Sequence, residues 1–163
     1  MQKKAPRKSN ALLAILWIGL LCGTLDGLAA MLLNYKISPA IIFKFIASGV
    51  FGQAAFKGGT EMIVAGVVFH YLIAILFTNA FYLLYPFFKK LFKNPYLIAV
   101  IYGLATWIIM NLMVVPVSKI GFHTIKIQGI LTGMLVLIIC IGLPVALNAD
   151  RHYKAGKFDI PDR

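Results

Sequence analysis

Four stretches of this chain, Ala11–Leu33, Met62–Tyr85, Tyr96–Val117 and Gly129–Leu147, run apolar for about 20 residues each, the length a helix needs to cross a bilayer. In lipid every backbone polar group must be satisfied internally, which leaves helices and closed barrels as spanning structures. Uninterrupted runs of this length read as helices. The four use more than half of the 163 residues, so no separate soluble domain fits beside them. Composition agrees: 61% of residues are hydrophobic and 13% are charged, against about 25% charged in a soluble domain. The expected fold class is all-α, a four-helix transmembrane bundle over residues 11–148. A basic tail precedes it at 1–10 and a second tail follows at 149–163.

The formal charge of +11 would suggest nucleic acid in a soluble protein. Here the bases follow the membrane topology, and no nucleic-acid partner is expected. Lys3, Lys4, Arg7, Lys8, Lys89, Lys90, Lys93, Arg151, Lys154, Lys157 and Arg163 fall on one side, 11 of the 16 bases. Lys36, Lys44, Lys57, Lys119 and Lys126 fall on the other. The positive-inside rule puts both termini in the cytoplasm. The first apolar run is longer than the roughly 7–15 residues of a signal-peptide core, so it reads as an uncleaved anchor. Cys22 and Cys140 both fall near mid-membrane, with no spacing that suggests a metal or a disulfide framework. No cofactor motif is present, and the expected partner is the lipid bilayer.

Within the first span, Gly19, Gly23 and Gly27 form two overlapping GxxxG units. Such a stripe lets another helix approach closely, either inside the bundle or in a homo-oligomer. Residues 34–61 follow a different pattern. Ser38-Pro39 starts a helix, and the apolar run from Ala40 to Phe56 is broken by Lys44, Gly49, Gly52 and Gln53. It is a poor span and reads as a short re-entrant or interfacial helix between helices one and two.

Ionisable groups inside spans are the best functional pointers in such a chain. Asp26, His70 and Asn111 each fall roughly 9–12 Å from the same side of the membrane at about 1.5 Å per residue. Each lies on a helix face with small residues, the face that packs inward. They form the candidate polar site. Ser48, Glu61 and Ser118 are candidates to extend it from the loops, and His123 stands nearer the surface. One Asp, one His and one Asn are too few strong ligands for a closed metal site, so no metal is expected.

Several motifs fall into a longer pattern. Ile46-Ala47-Ser48-Gly49, Gly52, Ala55-Phe56 and Gly58-Gly59 are followed by Gly66-x-x-x-His70. Tyr102-Gly103, Met110-Asn111 and Val115-Pro116-x-Ser118 complete it. This resembles a family of small bacterial inner-membrane proteins, distantly YagU-like, over residues 12–118. The resemblance implies a bacterial inner membrane and carries no activity. The pattern includes His70, Asn111 and Pro116, while Asp26 stands outside it.

These features support three readings. The polar cluster binds or conducts protons or a small polar solute; or it is a packing core in a structural protein of the envelope; or His70 serves a membrane-embedded enzyme acting on lipid. The third ranks last, because no base–nucleophile spacing is visible.

Overall fold

The computed structural model describes residues 11–122, 124 and 126–155. The N-terminal tail, the last residues of the C-terminal tail and His123 lie outside them. Among the described residues the chain is all-α, with α1 (Ala11–Leu33), α2 (Pro39–Phe51), α3 (Ala54–Lys57), α4 (Thr60–Leu91), α5 (Pro95–Val117) and α6 (Ile127–Lys154). Helices α1, α4, α5 and α6 are long and apolar enough to cross a membrane, and they pack as a four-helix bundle. Leucines such as Leu13, Leu21, Leu76, Leu83 and Leu131 stay exposed along its outer surface, as a bilayer solvent allows.

The helix starts follow local chemistry. Pro39 and Pro95 occupy first-turn positions, where a missing N–H costs nothing. Asn94 caps α5 by accepting from the Tyr96 N–H at 2.9 Å. Glu61 turns back to accept from the Gly59 N–H at 2.6 Å, which orders the turn into α4. Within the spans Thr24, Thr78 and Thr106 donate to carbonyls one turn back, and the Thr24 hydroxyl also meets Tyr71 Oη of α4 at 3.0 Å.

The core sits toward the end that carries Ala11 and Lys154, here the termini end. Ile18, Cys22, Phe81, Tyr85, Ile98, Tyr102, Ile141 and Val145 bury together there. The Phe81 ring centroid lies 4.0 Å from that of Tyr102. The Tyr102 hydroxyl donates to the Phe77 carbonyl. Both expected helix ends on this side are overrun. Helix α4 continues through Pro86 to Leu91, and α6 continues past Leu147 to Lys154. Asp150 supplies the reason. Its buried carboxylate accepts from Tyr85 Oη at 2.8 Å, Lys89 Nζ at 2.7 Å and Lys154 Nζ at 2.7 Å. These bonds hold the last turns of α4 and α6 against each other.

The opposite, distal end is built differently. Here α2 lies along the first half of α4. A methyl group at Gly66 would collide with the Phe43 carbonyl oxygen, so the two backbones touch at that point. Phe51 stacks on Phe69 with centroids 6.0 Å apart. Lys44, the charge that interrupts this apolar helix, donates to the Gly58 carbonyl at 2.7 Å. Gly52 ends α2 with φ 60°, a conformation L side chains rarely adopt. The Lys119 N–H donates to the Gly49 carbonyl at 2.9 Å and ties α2 to the end of α5.

Two π-helical turns widen the spans, Met110–Val114 in α5 and Ile138–Gly142 in α6. Each is followed closely by a proline, Pro116 or Pro144. A proline ring clashes with the carbonyl four residues back. Those carbonyls belong to Leu112 and Cys140, inside the two π turns. The local unwinding relieves the clash without breaking the helix.

The contact at Gly66 gives a direct check. Gly66→Ala is expected to destabilise the protein in detergent by about 1–3 kcal/mol or more, as overpacking does. Gly49→Ala, whose new methyl finds its nearest neighbour at 3.7 Å, is expected to leave the thermal melt unchanged.

Candidate functional site

Asp26 on α1, His70 on α4 and Asn111 on α5 line one cavity of about 250 Å³ just distal to the core. Ile46, Ile73, Thr106 and Met110 complete much of its wall. The elements that place these side chains are those described above. The α1 glycine stripe packs inside the bundle against α4. A methyl at Gly19 would stand 2.8 Å from Ile75, and one at Gly23 would stand 2.9 Å from Tyr71. This close approach brings α1 and α4 near enough for His70 Nε2 to reach the Gly23 carbonyl at 2.7 Å. A methyl at Gly27 would stand 3.2 Å from the same nitrogen. The imidazole is also held edge-on by Phe43 and Tyr71, at centroid distances of 6.3 and 5.6 Å.

A carbonyl only accepts, so Nε2 carries the hydrogen in this bond. In the neutral ring Nδ1 is then left as an acceptor. Asn111 occupies the π turn of α5 and donates from Nδ2 to the Trp107 carbonyl at 3.0 Å. Thr106 donates to the Tyr102 carbonyl at 2.9 Å. The three polar residues therefore share a cavity without hydrogen-bonding one another. Among the described residues no side chain donates a hydrogen bond to the Asp26 carboxylate, since His70 and Asn111 are bonded to backbone carbonyls. A further cavity of about 250 Å³ reaches Asp26 and Asn111 from the other side, between α1, α5 and α6, and is bounded by Trp107 and Gly133.

The loop candidates take other roles. Glu61 is spent on its own turn at Gly59. The Ser48 hydroxyl donates to the Phe45 carbonyl at 2.6 Å, and that of Ser118 donates to the Val115 carbonyl at 2.7 Å. Neither serine lines the cavity of His70. Thr106 and Met110 in the cavity wall, and the π turn that carries Asn111, were not anticipated from sequence. The signal for the π turn was Pro116, an imino acid inside an apolar span.

Compared with models of known families, with curated proteins and with solved structures, the chain finds no significant match. Its function is therefore read from the cavity itself. An unpaired carboxylate in apolar surroundings is costly. Asp26→Leu is expected to leave the melting temperature unchanged or raise it. His70→Ala is expected to lower it, through loss of the bond to Gly23 and of ring packing. Circular dichroism melts of both variants in one detergent decide the point.

Proposed function

We propose that this chain is a bacterial inner-membrane protein, with both termini cytoplasmic, that takes up protons or a small polar solute at the Asp26–His70–Asn111 cavity. The observation that carries this reading is the unpaired Asp26 carboxylate facing a cavity. A purely structural cluster would bond to itself, since unsatisfied polar groups in hydrocarbon cost several kcal/mol. Here His70 and Asn111 bond to backbone carbonyls, and Asp26 is left for something that enters. The cytoplasmic placement of the termini rests on the 11 bases at that end, and the bacterial placement on the resemblance of residues 12–118.

The structural reading retains one argument. The bond from His70 to Gly23 also staples α1 to α4. The reading as a lipid-acting enzyme has less support, because Ser48 and Ser118 are both bonded within their own helices.

The test is proton flux. Purified protein in liposomes with an internal pH dye is compared with His70→Ala and Asp26→Asn. Flux in the wild type that falls to the level of empty liposomes in both variants is the expected result. Wild-type liposomes no leakier than empty ones would rule out a proton pathway and leave solute binding to be judged by ligand titration.

A further inference from the structure

A second cavity adjoins the first. It measures about 390 Å³, lies between α2, α4 and α5, and has almost no polar lining. Ile46, Ile73, Met110 and Val115 line both cavities, so the two adjoin across these side chains. The far rim is formed by Phe45, Val50 and Leu72, which are exposed on the outer face of the bundle. In a bilayer that face meets acyl chains. The protein thus contains an apolar recess at the lipid surface that adjoins the polar cavity of Asp26, His70 and Asn111.

The polar end has a definite chemical sense. Thr106 and His70 have used donor hydrogens on backbone carbonyls, and Asn111 has used one of its two. The capacity these lining residues retain is mainly acceptor: the Asp26 oxygens, the Asn111 Oδ1, the Thr106 oxygen and Nδ1 of a neutral His70. Among the described residues no lysine or arginine lines either cavity, so the carboxylate has no fixed counter-charge from a side-chain ammonium or guanidinium. A ligand that carries both a positive charge and N–H donors satisfies the two deficits together. An anion or a pure acceptor satisfies neither. The apolar recess requires that such a head carry an apolar tail.

We propose that the two adjoining cavities together bind a cationic amphiphile, an ammonium head on an apolar tail, the side chains between them parting to admit it. The head sits at Asp26, and the tail lies between α2, α4 and α5 after lateral access from the bilayer. This rests on the reading of the Asp26 cavity as a solute site and names the class of solute.

The test uses protein in nanodiscs and equilibrium dialysis against radiolabelled dodecylamine, with empty nanodiscs as the blank. Saturable binding above the blank is expected, with competition by unlabelled dodecylamine and none by dodecanoate. Asp26→Asn, which removes the charge, and Ile73→Trp, which fills the junction of the cavities, are each expected to weaken binding about ten-fold or more, the worth of one charge-assisted contact. Equal competition by dodecanoate, or undiminished binding in Asp26→Asn, overturns the proposal, because the Asp26 carboxylate then does not hold the head. Should labelled propylamine bind in an Asp26-dependent way while dodecylamine shows no saturable site, the amphiphile is overturned and the polar-solute reading stands. If neither amine binds the wild type, the proposal fails and takes amine binding at this site with it. The ligand series on wild-type protein separates these outcomes even where a variant misfolds.

Discussion

Helices in lipid have no hydrophobic drive toward one another, so a bundle holds together where backbones can touch and where polar groups find partners. In this protein those contacts are placed unevenly, and the rest of the architecture follows. At the termini end the buried aromatic cluster of Phe81, Tyr85 and Tyr102 fills the centre. Asp150 clamps α4 to α6 beyond it. A methyl added at Gly103 would stand 2.6 Å from Ile138 Cα, so the third and fourth spans are in backbone contact. At the distal end α2 packs onto α4 at Gly66 to close the flank. The space left between the closed end and this flank is the pair of adjoining cavities.

That asymmetry suits a binding role. The buried core cluster fills the termini half, and the unpaired carboxylate of Asp26 stands on the cavity beyond it. The two π turns lie at the boundary between the halves, Met110–Val114 beside the polar cavity and Ile138–Gly142 beside the core. A π turn rotates the following helix and re-aims its side chains, and such turns recur at functional sites. In α5 the turn carries Asn111 and places Met110 on the wall shared by both cavities.

Much of the fold was legible because its strongest determinant is also the simplest. Length and polarity alone identify spans, and each of the four apolar runs falls in a helix long and apolar enough to cross a membrane. The short helix was legible from Ser38-Pro39 and from charges that a span would not tolerate. Elsewhere, tertiary contacts override a local signal. Pro86 reads as a terminator, yet α4 passes through it because Tyr85 and Lys89 bind Asp150 on another helix. At the site, helical periodicity put Asp26, His70 and Asn111 at one level and on inward faces. Periodicity fixes direction but not rotamer, so it did not reveal that His70 and Asn111 bond to backbone carbonyls and leave Asp26 unpaired. The apolar cavity has no sequence signature, since it is the space that Phe45, Leu72 and Val114 leave unfilled.

A binding role requires that the Asp26 carboxyl face an accessible cavity within the membrane and not be sealed in packing. Treatment of the folded protein in membranes with dicyclohexylcarbodiimide, an apolar carboxyl reagent, tests this when the modified peptide is identified by mass spectrometry. An adduct on Asp26 is expected, absent from Asp26→Asn protein and suppressed by an amine that occupies the cavity. An Asp26 that stays unmodified in folded protein, and reacts only after unfolding, would contradict the binding role and make the carboxyl a buried element of helix packing.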